Sequence, residues 1–359
     1  MPQKKHTELF GLYVHWPYCL SKCPYCDFAS CVSSHIDEDS LITGYKRDIQ
    51  KFQTSRPITS IFFGGGTPSL MSISFFNNLM ELLRQSYIFA PDIEISLEAN
   101  PDAITLKKMQ DFAKAGVNRL SIGVQSLNTN DLKFLGRRHT LQRAIECIYE
   151  AKQVFKNINM DLIYARPHQS VESWQKELQK ALSFDLPHYS LYQLTIEQGT
   201  VFFHKKQTTV SENQAKRLYL ATDTIMDESG FIPYEISNYA KPGFECRHNM
   251  TYWLGQDYIG IGPAAHGRLN LTATENPKSI TSWLKNGTTI EQLTPDQRHI
   301  ERVLMGLRLK HHDFPIENIP QQNIQLAKKK GWIIQTNLGI RPTSQGVLML
   351  NQLIQMLIQ

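Results

Sequence analysis

The chain has 359 residues, 41% hydrophobic and 20% charged, with a formal charge of +5. That length admits one large domain or two to three smaller ones, and the composition is that of a globular protein, which excludes fibrous and disordered classes. The sequence contains no apolar run of about eighteen residues, and its basic side chains are scattered apart from Lys328-Lys329-Lys330, so neither a membrane span nor a nucleic-acid partner is expected.

Taken in order, the first half repeats strand, loop and helix. The charged start, Met1 to His6, leads into no apolar run, so no signal peptide is expected. Leu12–Trp16 reads as the first strand. Asp39–Phe52 reads as a helix, with Asp37 or Asp39 as its cap. Ser60–Phe63 is a short apolar strand, and Ser74–Gln85 carries Phe75, Phe76, Leu79, Leu82 and Leu83 at helical spacing. Ile93–Glu98 alternates as a strand does. Leu106–Lys114 is a helix stopped by Gly116, and Arg119–Gln125 is the fourth strand. Helix Leu141–Phe155, strand Met160–Tyr164, helix Val171–Phe184 and strand Tyr189–Leu194 complete the series. Strands alternating with helices imply a parallel sheet with right-handed crossovers. Polar residues recur at the strands' C-terminal ends, the rim that carries chemistry in barrel folds, so a partial barrel is favoured over an open doubly wound sheet.

Beyond about Gly199 the rhythm changes. Gln214–Ser229 reads as a helix, and Tyr234–Gly267 as irregular structure or short strands covering the barrel mouth. A boundary is placed in Ile280–Leu293. Helix Asp296–Leu309, helix Ile324–Lys330, a hairpin around Trp332–Arg341 and a last helix within Gly346–Ile358 make a small winged-helix-like domain. The expected division is a barrel over 1–200, an α+β extension over 201–289 and the small domain over 290–359.

The strongest chemical signal is Cys19, Cys23 and Cys26, spaced C-x3-C-x2-C on the loop after the first strand. Three thiolates do not close the four-ligand shell of a structural zinc unless Cys31 or His35 joins them. They can hold a four-iron cluster with one iron left open. Six cysteines with three clustered are no disulfide scaffold, so a reducing cytoplasm is the expected compartment. The second signal is Gly64-Gly65-Gly66-Thr67 after the next strand, where missing side chains let backbone N–H groups approach a ligand. The third is a set of polar groups near strand ends: Glu98, Gln125, Arg137 and Asp161. The fourth is His248-Asn249-Met250-Thr251-Tyr252-Trp253; a histidine can ligate heme iron and aromatics can stack on a porphyrin, though the spacing alone favours a packed aromatic turn with a hydrogen-bonded histidine.

The cysteine triplet resembles the signature of the radical S-adenosylmethionine (SAM) proteins. That resemblance implies a partial (β/α)6 barrel and a [4Fe-4S] cluster on Cys19, Cys23 and Cys26. In that family SAM chelates the fourth iron, and reduction of the cluster releases a 5'-deoxyadenosyl radical. The ordered polar set resembles the coproporphyrinogen dehydrogenase-like subfamily. On that basis Tyr13, Tyr25, Gly65, Gly66, Thr67, Glu98, Gln125, Arg137, Asp161 and Ala265 are assigned to SAM. H-N-x-x-Y-W is similar to the heme-associated motif of the subfamily's heme chaperones, which assigns His248, Asn249, Tyr252 and Trp253 to heme. The resemblance also implies a heme-acceptor protein, with delivery to membrane heme proteins open, and an electron donor.

Two departures refine this reading. The true dehydrogenases carry a cysteine two positions after the third cluster cysteine, where this chain has Phe28, and a longer arm before the triplet. Both favour the chaperone branch over an oxygen-independent coproporphyrinogen III oxidase, which stands as the alternative. The loop Ala165-Arg166-Pro167-His168 replaces two family glycines with side chains near the expected SAM edge. A zinc-stabilised barrel with a nucleic-acid-binding tail is a third, distinct reading.

Overall fold

The structure, a computed structural model, describes residues 8–33 and 35–358, so the expectation for Met1–His6 lies outside the described residues. Six parallel strands form the centre of a twelve-stranded sheet: β1 (Phe10–Trp16), β2 (Ile58–Gly65), β3 (Phe89–Ala99), β4 (Arg119–Gln125), β5 (Asn157–Tyr164) and β6 (His188–Gln193). They lie side by side in chain order. The crossovers are α1 (Glu38–Lys51), α2 (Ile73–Ser86), α3 (Leu106–Ala115), α4 (Leu141–Val154) and α5 (Val171–Leu182), and α6 (Glu212–Glu228) follows β6. Along one face of the sheet α1 packs on α2, α2 on α3, α3 on α4 and α5 on α6. A doubly wound sheet would divide them between two faces, so the strands curl into a partial barrel with the helices outside.

Local chemistry sets these boundaries. Each of these six helices starts behind a side chain that accepts a backbone N–H: Asp37, Ser72, Thr105, Thr140, Ser170 and Ser211. Such a cap is worth about 1 kcal/mol. Gly116 ends α3 in the left-handed conformation, as expected from sequence. The apolar faces of the helices meet the outward side of the strands in one large core that includes Phe63, Phe76, Phe112, Trp174 and Tyr189.

The extension differs from the sequence expectation. Asp257–Ile261 is a seventh parallel strand, β8, in register with β1 from Phe10–Asp257 to Val14–Ile261. Antiparallel strands His266–Leu269 (β9), Thr272–Glu275 (β10) and Thr289–Gln292 (β11) continue that edge, while Asn238–Ala240 (β7) pairs antiparallel with β6 on the other. The segment between β7 and β8 is helix α7 (Arg247–Trp253). It packs against β1, β2 and β8, and its His248 meets Ser60 near the start of β2, so α7 closes the barrel floor and does not cover the mouth. Glycines in Asp257-Tyr-Ile-Gly-Ile-Gly mimic a loop in sequence. Here they are needed for contact: a methyl group on Gly260 would meet the His266 carbonyl at 1.9 Å.

Because β11 belongs to the large sheet, the small domain starts after it, later than residue 290. A second core, drawn from Val303 to Leu357, is built from α8 (Pro295–Gly306), α9 (Gln321–Lys329), the hairpin of β12 (Ile333–Gln335) and β13 (Ile340–Pro342), and α10 (Leu350–Ile358). Helix, helix, hairpin, helix is the winged-helix-like order read from the sequence. Among the described residues no helix is long and apolar enough to cross a membrane.

Candidate functional site

Side chains alternate along a strand, so every second residue of β2–β6 points into the barrel. Those residues are unusually polar: Glu98 from β3, Arg119, Ser121 and Gln125 from β4, Asn159 and Asp161 from β5, Ser190 and Tyr192 from β6. They surround a cavity of 470 Å³ that the cysteine loop borders at the strands' C-terminal ends. A barrel filled only for stability packs this space with branched apolar side chains. Here it is left for a ligand.

Cys19, Cys23 and Cys26 all line that cavity. A tight turn brings the Cys26 amide to the Cys23 carbonyl at 3.0 Å, and a small parallel pairing of Tyr18–Cys19 with Cys31–Val32, missed in the sequence reading, fixes the two ends of the loop. Among the described residues no three Cys, His, Asp or Glu side chains converge on one metal point. A mononuclear zinc site needs that convergence. A cubane does not, because each thiolate takes a different iron.

A hydrogen-bonded chain runs behind the thiols. The Arg137 guanidinium points at Cys23 Sγ (3.3 Å), donates to the Gly123 carbonyl (3.0 Å) and meets Asn100 Oδ1. Asn100 donates to Thr67 Oγ1 (3.0 Å), which donates to Cys19 Sγ at 3.5 Å. Two of the three cysteines thus receive donors from one network. Asn100 was not singled out in the sequence, where it looks like the start of an ordinary turn before Pro101.

The glycine loop is forced to be glycine. A Cβ on Gly66 would sit 2.5 Å from the Tyr18 carbonyl oxygen, and Gly65 holds φ at +108° against the His15 ring. The Gly65 amide donates to Glu98 Oε2 at 3.2 Å. Burial, then the neighbouring Asp161 carboxylate, lift Glu98 to about 8, so it carries a proton at neutral pH. Burial also raises Asp161, to about 6, against hydrogen bonds from Asn159 (2.7 Å) and Ser121 (3.4 Å). Tyr25 lines the cavity and packs 6.4 Å from the Phe202 ring. Gln125 lines it too, from a left-handed backbone at φ +68°.

Tyr13 and Ala265 do not line the cavity. Ala265 is buried in the turn between β8 and β9, its carbonyl bonded to the Asn276 amide. The Tyr13 hydroxyl lies 3.0 Å from His15 Nδ1, whose Nε2 lies 2.8 Å from the Ala29 carbonyl at the far end of the cysteine loop. With the ring proton on Nε2, Tyr13 donates, His15 relays and the loop is tied down.

Only Asn249 of the H-N-x-x-Y-W group borders the cavity. His248 is 1% exposed; its Nδ1 lies 3.1 Å from Ser60 Oγ and its Nε2 2.7 Å from the Tyr252 hydroxyl. The ring stacks on Phe62 (5.2 Å) and Tyr13 (6.2 Å). Tyr252 packs edge-on to Tyr258, and Trp253 turns to Arg308 of the small domain. Ala165 and His168 hold left-handed backbone (φ +60° and +62°), the conformation a glycine adopts freely, and neither lines the cavity, so their cost is backbone strain and not obstruction of the site.

Residues 13–181 match the model of the Radical SAM superfamily. The chain is 34% identical to the heme chaperone HemW of Buchnera aphidicola subsp. Acyrthosiphon pisum, over 97% of this chain and 98% of that one. The chain belongs to the HemW family. The Escherichia coli heme chaperone HemW is 37% identical over 75% of both chains, and a mitochondrial radical SAM domain-containing protein 1 of Danio rerio is 35% identical over 97% of this chain and 87% of its own. The solved coproporphyrinogen III oxidase HemN of Escherichia coli shares the fold, with a TM-score of 0.83 at 22% identity, over 98% of this chain and 90% of that one. For a HemW-family chain the superfamily match implies a [4Fe-4S] cluster and SAM, and the cavity fits both, with three thiols on one wall, a glycine loop beside them and polar groups facing inward.

Proposed function

We propose that this chain binds heme and passes it to an acceptor protein, with a [4Fe-4S] cluster on Cys19, Cys23 and Cys26 and exchangeable SAM in the cavity. The observation that carries the reading is the 34% identity, over nearly the full length of both chains, to a relative named as a heme chaperone. A bound cluster would bind SAM and could pass it an electron received from a separate donor. The chain's own part is positional. Arg137 and the Asn100–Thr67 pair direct donors at two of the sulfurs. Glu98 accepts the Gly65 amide on Oε2 and, raised to about 8, brings a protonated carboxyl to the cavity wall. The cytoplasm is the proposed compartment, from the reduced cysteines this chemistry requires.

In this reading the H-N-x-x-Y-W segment serves by building the floor. His248 uses both ring nitrogens internally, and its ligation of heme iron requires α7 to leave Ser60. The oxidase reading is weaker because Phe28, 59% exposed beside the cluster loop, stands where the dehydrogenases have a cysteine. The deciding experiment is anaerobic reconstitution with iron and sulfide, followed by spectra before and after hemin and SAM, and a product assay with coproporphyrinogen III. A Soret band that decays on adding an apo heme protein supports the chaperone. Absence of any hemin-dependent band sinks it, and protoporphyrinogen formation installs the oxidase.

A further inference from the structure

Arg119 opens β4 at the barrel floor, 2% exposed and bordering the cavity. Its guanidinium has no hydrogen-bond or ion-pair partner among the described residues, and Nε is fully buried without one. Leaving a buried cation unpaired is expensive, and native proteins retain such groups where something else satisfies them.

The nearby acids do not supply the missing partner. Glu94 spends its oxygens on the Arg247 and His248 amides at the start of α7 (3.3 and 3.4 Å). Asp161 accepts from Asn159 and Ser121. Both help to offset the charge of Arg119 from a distance, but neither turns to its donor edge. That edge is a planar fork suited to two parallel hydrogen bonds with a carboxylate. A doubly charged phosphate is disfavoured, because Asp161 faces the same space. The floor is also deep: Arg119 and Gln125 stand six residues apart on β4, roughly 20 Å along the strand at 3.3 Å per residue. A ligand group at Arg119 therefore leaves the cluster loop and the polar rim free.

We propose that Arg119 receives a carboxylate arm of the cavity's ligand. On the heme-handling reading, on which this inference rests, that arm is one propionate of the porphyrin, lowered edge-first to the floor beside Asn249 and paired with the guanidinium. The inward residue of α7 then helps to shape a propionate pocket, which gives the H-N-x-x-Y-W segment a role in heme binding without iron ligation.

Hemin and hemin dimethyl ester, whose propionates are blocked, are titrated into the full chain and into Arg119→Gln and Arg119→Lys, with the Soret band as readout. Wild type is expected to bind the free acid about tenfold more tightly than the diester, the scale of a charged hydrogen-bond pair. Arg119→Gln should bind both probes alike, at the wild-type affinity for the diester, and Arg119→Lys should keep part of the preference. Equal affinity of wild type for acid and ester overturns the proposal, as does a preference that survives undiminished in both variants. If Arg119→Gln does not fold, the wild-type comparison and Arg119→Lys still decide. If wild type binds neither probe, the heme-handling reading itself has failed, which is distinct from binding without discrimination.

Discussion

His248 shows how a single residue ties the barrel to pH. Burial, then the Arg119 charge, lower its pKa to about 3, whereas an unfolded histidine titrates near 6.5. The unfolded chain therefore takes up the proton first. The stability held above pH 6.5 is lost as pH falls from there toward 3, by about 2 kcal/mol at pH 5. His139 and His188 are lowered too, so the contribution is read as a difference: between pH 7 and pH 5 the urea midpoint should fall further in wild type than in His248→Gln. Equal falls would mean that the ring is not buried neutral. At the glycine loop proposed to hold SAM, Gly66→Ala forces a methyl group onto the Tyr18 carbonyl and should weaken SAM binding by about tenfold or more while the fold survives. Unchanged affinity in equilibrium dialysis would remove that loop from the site. His168 is exposed and left-handed, so His168→Gly should raise the unfolding free energy by about 1 kcal/mol in a denaturant titration, with SAM binding unaltered. The cysteine triplet and the glycine run are legible in sequence because the residue types themselves carry the chemistry. Arg119 and Asn100 are not legible, since the first is an ordinary strand residue until sheet register turns it inward and the second an ordinary turn residue until the fold brings it to Thr67 and Arg137.

At the scale of elements, periodicity and caps were enough for the six βα units, whose observed ends fall within a few residues of the expected ones, apart from β3, which starts at Phe89 and not Ile93. Elements whose partners are distant in sequence were harder to read. Strand β8 is rich in glycine and pairs with β1 across more than two hundred residues, and the residue before α7 is Cys246, which gives it no side-chain cap. The cap comes from Glu94 on β3, which takes the first amides of α7 and the Cys246 thiol. A carboxylate borrowed from another strand leaves no local signal. Its removal should therefore act on the floor helix. Glu94→Ala is expected to cost about 2 kcal/mol through bare amides in a buried helix start. Hydrogen exchange should speed up selectively in Arg247–Trp253. Uniform exchange across the barrel would show that Glu94 supports the core in general and not α7.

Across the whole molecule, two cores meet through a few charged contacts. Arg268 pairs with Glu301, Arg298 reaches the Gly255 carbonyl, and Lys310 enters a box formed by Asp223, Tyr219 and Tyr239. The Lys310 ammonium is 2.8 Å from both Asp223 oxygens, with only 9% of its side chain exposed, and its amide donates to the Tyr234 carbonyl at 3.2 Å. Burial lowers the Lys310 pKa and the Asp223 charge opposes that shift. Lys310→Met keeps most of the apolar stem over the tyrosines and removes the charge. The cost should be about 2 kcal/mol, below that of a fully buried pair, because Asp223 is partly exposed and keeps the Tyr239 hydroxyl. That loss falls on the junction, while both cores keep their own apolar packing. Calorimetry should then resolve a single wild-type transition into two, the small domain melting first, with the iron content of the barrel retained. A single transition at an unchanged midpoint would show that Arg268–Glu301 and Arg298 couple the two cores without Lys310.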